Sequence, residues 1–206
     1  MQNELVDVPD SLWLQHHFAH HANPRAKIAK LGLQGELLRL KRGLYVRAQC
    51  ADDPVTRCRA ANRMYGPSYV SFAWALRWYG LIPEHTAHIT SATLGKGRKK
   101  RYDTPVGSFF YQDVPLTAYP HGITLMGDAP ERFLMACPEK ALCDELYRIT
   151  GIRSIQGIKT LLFEDLRLDL DEFRQLDRKV LRDWSAYYHT STLKTFGKFL
   201  QRGHYA

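Results

Sequence analysis

Residues 23–46 read Asn23-Pro-Arg-Ala-Lys-Ile-Ala-Lys-Leu-Gly-Leu-Gln-Gly-Glu-Leu-Leu-Arg-Leu-Lys-Arg-Gly-Leu-Tyr-Val46. The first half has the form of a short helix. Asn23 is suited to accept hydrogen bonds from the free amides of a first turn, and Pro24 fits the first helical position. At about 100° per residue, Ile28 and Leu31 share one face, while Lys27, Lys30 and Gln34 share another. Gly35 then stops the helix. The second half reads as a hairpin: Glu36 to Leu40 and Leu44 to Arg47 are strand-like, and Lys41-Arg42-Gly43 is their turn. Gly43 supplies the positive φ that such a turn needs.

A basic helix followed at once by a hairpin with a basic tip is the form of a winged helix-turn-helix. In that reading Arg25, Lys27, Lys30 and Gln34 meet the major groove of DNA or its phosphates. Arg39, Lys41 and Arg42 hold the hairpin on the backbone, and Tyr45 packs or touches DNA. The alternative is a small helix-hairpin whose cations are merely solvated. Charge favours a polyanion partner. The chain carries 29 Lys and Arg against 21 Asp and Glu, a net charge of +8. Residues 24–49 hold seven cations and one acid, whereas from Glu139 onward twelve cations face ten acids. A second cluster, Lys96, Arg98, Lys99, Lys100 and Arg101, is read as a loop or hairpin tip that either contacts DNA or is solvated.

Working outward, Pro9 to His21 reads as a first helix, capped by Asp10 or Ser11. Ala51-Asp52-Asp53-Pro54 is the expected boundary. Val55 to Tyr65 and Ser68 to Tyr79 read as helices, and the rings of the second suit a core. His88 to Thr93, Thr104 to Gln112 and Ile123 to Met126 read as strands. Past Pro138 the chain turns helical, with Glu139 to Ile149 followed by about three more helices. The expected fold class is therefore α+β: a winged helix-turn-helix over residues 1–50, then a mixed α/β domain over 51–206 ending in helices.

Several classes are disfavoured. There is no apolar run of about 18 residues, and the acidic N-terminus lacks the pattern of a secretory leader. A cytoplasmic protein without membrane attachment is expected. Cys50, Cys58, Cys137 and Cys143 contain no Cys-x-x-Cys pair and read as reduced and structural. His16, His17, His20 and His21 make two i, i+4 pairs but lack further ligands, so neither metal nor cofactor is expected. Asp103 and Asp113 lie near strands without the acid-x-Lys spacing of a metal-dependent nuclease. Glu139, Lys140 and Asp144 invite a catalytic reading, but Pro138 and Glu139 fit a helix N-terminus, with Leu142, Leu146 and Ile149 facing a core.

The order of several segments carries a resemblance. Gly35-Glu-Leu-Leu-Arg-Leu-Lys-Arg-Gly-Leu-Tyr-Val46 is followed by Tyr65-Gly-Pro-Ser-Tyr-Val-Ser71, Gly80-Leu-Ile-Pro-Glu84, Ile89-Thr-Ser-Ala-Thr93 and Cys137-Pro-Glu-Lys-Ala-Leu-Cys-Asp144. From about Asn23 to Tyr147 the chain resembles the AbiEi-type antitoxins and transcriptional regulators of type IV toxin–antitoxin systems; its first module is the shorter. The resemblance implies a non-enzymatic repressor that binds inverted repeats in its own operon as a monomer or weak dimer paired on DNA. It also implies an antitoxin domain that counters a nucleotidyltransferase-like toxin without a stable complex. Rival readings are an interaction module whose winged helix no longer reads DNA, and a nuclease.

Overall fold

The computed structural model describes residues 5–84, 87–129 and 131–202. Among these the architecture is α+β. Asp10 accepts from the Trp13 amide at 2.8 Å and opens α1 (Ser11–His17). Asn23 likewise caps α2 (Pro24–Leu33) through the Ala26 amide at 3.0 Å. The hairpin follows as β1 (Leu37–Lys41) and β2 (Leu44–Arg47), turning at Gly43 with φ +80°. The segment before α1 runs along β2: Tyr45 and Arg47 donate their amides to the carbonyls of Pro9 and Asp7, at 2.9 and 3.0 Å. Leu14, Phe18, Ile28, Leu31 and Leu37 form one apolar cluster between the helices and β1.

The larger unit is a six-stranded mixed sheet in the order β5-β6-β4-β3-β8-β7. Its strands are β3 (Ser68–Val70), β4 (Ile89–Thr93), β5 (Lys100–Thr104), β6 (Gly107–Asp113), β7 (Ile123–Met126) and β8 (Phe133–Ala136). β3 is central, antiparallel to β4 and parallel to β8; β4 runs parallel to β6, and β5–β6 and β7–β8 are antiparallel pairs. Helix α3 (Pro54–Met64) covers one face over β3, β4 and β8. On the other side lie α4 (Phe72–Trp78) and α5 (Pro138–Arg148). α8 (Arg178–Ser185) and α9 (Ser191–Arg202) pack against α5, α6 (Ile155–Thr160) packs against α9, and α7 (Leu170–Gln175) brings the Phe173 ring to 6.4 Å from the Phe199 ring of α9.

Several expected elements differ. The run Ser68 to Tyr79 is not one helix: Ser68–Val70 is a strand buried at all three positions, and the helix starts at Phe72. A continuous apolar run carries no period that separates a buried strand from a buried helix. Thr104 to Gln112 contains a turn, with Gly107 at φ +112°, so the basic cluster runs into strand β5 rather than forming a loop alone. β8 went unread because Phe-Leu-Met-Ala has no β-branched residue. The first helix stops at His17, short of His20 and His21.

The middle of the molecule is organised by a buried ion pair. Lys140 and Asp144, one turn apart on α5, are both fully buried with Nζ and Oδ1 3.0 Å apart. Lys140 also donates to the Ala118 carbonyl at 2.8 Å and the Tyr188 hydroxyl at 2.7 Å. Asp144 accepts from Tyr188 at 2.6 Å, Ser71 at 2.6 Å and Tyr69 at 3.0 Å. Burial first, and then the Asp144 charge, push both tyrosine hydroxyls well above their ordinary range, so they remain donors. Gly122, at φ +65°, passes so close that a Cβ there would meet Trp184 at 2.5 Å and the Lys140 Cβ at 2.8 Å. Replacing Lys140 by Met strands the carboxylate, and unfolding by urea should show a loss of about 3–5 kcal/mol; a change under about 1 kcal/mol would contradict this account.

The N-terminal elements are joined to the sheet by packing and charge. Val8, Leu40, Leu44 and Val46 belong to the main apolar cluster, not the helical one. Arg59 on α3 binds Asp7 at 2.8 Å and Glu131 at 2.9 Å, and Arg63 binds Asp10 at 2.7 Å. Burial would raise Asp7, but bonds with Cys50 and Glu131 and the charges of Arg59 and Arg47 hold it below the ordinary 3.8. Burial pushes Glu131 up, so as pH falls Glu131 is neutralised first and Asp7 last. A depressed carboxylate stabilises fully above its unfolded value and loses that stabilisation as pH falls through the folded one. Asp7→Asn should therefore melt lower than the parent near pH 7, with the gap closing toward about pH 3; a pH-independent gap would sink this assignment.

Candidate nucleic-acid interface

The burial of α2 fixes its orientation. Ile28 and Leu31 point inward, so the outward crest lies opposite them and consists of Ala26, Ala29, Lys30 and Leu33, all exposed. Leu33 is 91% exposed. The cations expected on one face are divided by this rotation. Lys30 stands on the crest. Lys27 is half-buried on one flank with its ammonium 6.0 Å from the Phe18 ring centre, and Gln34 is exposed on that same flank. Arg25 lies on the opposite flank, where its Nε donates to Gln15 at 3.3 Å and where it shares a groove of about 710 Å³ with Arg39.

The hairpin tip is held, not free. The Ser11 amide donates to the Gly43 carbonyl at 2.9 Å, drawing the turn against the start of α1. The Lys41 ammonium turns inward to donate to the Met64 carbonyl, which removes it from the expected backbone contacts. Arg42 remains exposed at the turn, and Arg39 is exposed on β1 with its Nε 3.4 Å from the Lys41 carbonyl. Tyr45 is half-buried against the helical cluster. Burying tyrosine's ring against apolar neighbours is ordinary packing.

The second basic cluster is partly used up by the fold. Lys96 donates to the Gly66 carbonyl at 3.0 Å and lies 5.2 Å from the Tyr65 ring centre. Lys100 lies 5.2 Å from the Tyr102 ring. Arg101 sits 5.1 Å over Phe110 and is paired with Asp103 at 2.8 Å. Arg98 and Lys99 are left exposed. β1 packs beside β5, so this cluster adjoins the hairpin.

The residues of the rival readings also have defined places. Asp113 accepts from Thr93 and from the Gly97 amide, both at 2.7 Å, and thereby closes the loop that carries the basic cluster. Bonds from Arg101 and then Ser108 hold Asp103 low. The two acids are thus each engaged locally. Among the described residues no group of three or more His, Cys, Asp or Glu converges as a metal site. His20 and His21 fall beyond the helix end, so the i, i+4 pairs are not built; burial, with the charges of His20 and His16, lowers His17. Burial pushes the thiols of Cys58 and Cys137 up to about 12 and about 11, as expected of structural cysteines.

Sequence reasoning missed the apolar part of the crest. A wheel centred on Ile28 and Leu31 places Ala26 and Leu33 directly opposite them, whereas Lys27 and Gln34 fall on one flank. No helix among the described residues is long and apolar enough to cross a membrane. Comparison of the chain with protein-family models and with curated proteins gives no match.

Proposed function

We propose that this chain is a DNA-binding transcriptional repressor of its own toxin–antitoxin operon, with the remainder of the chain acting as the antitoxin. The observation that carries the DNA-binding part is the crest of α2: small residues Ala26 and Ala29 flank an outward Lys30, with Arg42 exposed on the adjoining hairpin. Small side chains allow a helix to approach base edges closely, apolar ones meet thymine methyl groups, and the cations bind phosphate. Arg25 and Arg39 serve the backbone from the shared groove. Arg98 extends the positive surface past β5. Reading an inverted repeat takes two copies, assembled as a weak dimer or on the DNA. The antitoxin part, directed against a nucleotidyltransferase-like toxin, rests on the resemblance that runs from about Asn23 to Tyr147.

A second reading draws on Leu33, an apolar side chain almost wholly exposed beside the groove lined by Leu37 and Leu38. In that reading the same crest docks a protein, and DNA is not its partner.

Anisotropy with a duplex from the chain's own upstream region separates the two. The parent should bind specifically in the presence of competitor DNA. Lys30→Ala/Arg42→Ala should weaken binding and flatten its salt dependence by about 0.9 in log–log slope for each phosphate no longer neutralised. Lys41→Ala should leave DNA affinity within about twofold, since its ammonium serves the fold. Binding that ignores sequence, or is indifferent to Lys30 and Arg42, would hand the crest to a protein partner.

A further inference from the structure

The helical layer leaves part of one sheet face open. On β6 the side chains alternate: Phe109 and Tyr111 are buried, with the Tyr111 hydroxyl donating to the Ala61 carbonyl of α3 at 2.8 Å, while Phe110 and Gln112 are half-exposed on the opposite face. Arg101 on β5 is paired in register with Phe110 and shares that face. Between it and the start of α4 is a cleft of about 460 Å³. This size lies within the range of small-molecule sites.

The chemistry of its walls is specific. Phe72 is part of the lining, with the Arg148 guanidinium 5.4 Å from its ring centre. Phe110 offers a half-exposed ring with Arg101 5.1 Å from its centre. Arg101 is engaged by one carboxylate, Asp103, and Arg148 by one, Glu145 at 3.1 Å. A guanidinium has five N–H donors, so each keeps donors for another anion. Lys99 stands exposed at the mouth, and the Gln112 amide reaches the same space. An apolar slot with aromatic rings, a neutral amide and a cationic mouth matches a flat heterocycle carrying a phosphate.

We propose that this cleft binds a nucleotide, with its base against Phe110, its edge met by Gln112, and its phosphate held by Lys99, Arg101 and Arg148. A cleft of this volume excludes a duplex, so the occupant is a free nucleotide or one nucleotide of a single strand. The site is independent of the operator contacts on α2. It also reassigns Lys99 and Arg101 from a duplex surface to a pocket.

Titration of the full chain with ribose-labelled fluorescent ATP, followed by anisotropy, tests this. Saturable binding is expected, weakened about tenfold or more by Arg101→Ala and by Phe110→Ala. Unlabelled adenosine should compete at least about tenfold more weakly than unlabelled ATP. Arg101 is exposed, so its variant remains informative even where the Phe110 variant fails to fold. The Lys30→Ala/Arg42→Ala chain should bind labelled ATP as the parent does, which separates this site from the operator surface. Competition by a six-nucleotide single strand below the concentration needed of ATP identifies a strand as the occupant; the reverse order identifies the free nucleotide. No saturation by about 1 mM with either ligand, or affinity unmoved by the Arg101 variant, overturns the proposal.

Discussion

The interaction on which the rest of this fold depends is the pair Lys140–Asp144. Removing an ammonium and a carboxylate from water costs several kcal/mol per ion, and their attraction repays this only when the remaining donors and lone pairs are satisfied. Here they are. The three ammonium protons go to Ala118, Tyr188 and Asp144, and the carboxylate accepts from Lys140, Tyr188, Tyr69 and Ser71. The partners come from β3 and the residue just after it, from the segment before β7, and from the turn between α8 and α9. Satisfying one pair therefore fixes three separate parts of the chain around α5. Because the network is complete, its geometry specifies one arrangement of these parts.

Fixing α5 has consequences along the same helix. Glu145, the next residue, accepts from the Ala73 amide at 3.0 Å at the start of α4 and from Arg148. Burial raises the Glu145 carboxyl, with the charge and hydrogen bond of Arg148 and the Ala73 bond working against the rise. Arg148 in turn lies over Phe72. The Arg148 guanidinium in the cleft lining is thus positioned through two links from the buried pair, on a helix whose rotation the pair determines. The N-terminal unit is fixed differently. The hairpin puts Leu40, Leu44 and Val46 into the main core while Leu37 joins the helical cluster, so the strands act as the shared wall of both. The crest of α2 accordingly has a set direction relative to the sheet.

The parts of the fold that were legible in the sequence were those with local determinants. Both caps, the α2 stop and the hairpin register depend on Asp10, Asn23, Gly35 and Gly43, whose roles are decided within a few residues. The strand Ser68–Val70 and β8 were hidden because their burial comes from strands and helices remote in sequence. For the site, the cations were visible but their use was not. Lys41 and Lys96 are captured by the carbonyls of Met64 and Gly66, 23 and 30 residues away. Such capture depends on tertiary approach, which charge counting does not contain. Arg101 and Lys100 have an additional role on β5, where charge on an edge strand discourages pairing with other chains.

The last segment of the resemblance, Cys137 to Asp144, is a packing device. Pro138 opens α5, Glu139 accepts from the Asp177 amide at 3.1 Å, and Lys140, Ala141, Leu142, Cys143 and Asp144 are all buried. Pro138 and Glu139 serve helix initiation and the docking of α8, Lys140 and Asp144 form the buried pair, and Ala141, Leu142 and Cys143 fill the core. Function lives in sites placed on folds, and a segment devoted to packing does not by itself carry one. In this chain the two proposed sites lie on the crest of α2 and the open face of β5 and β6, outside the packed core.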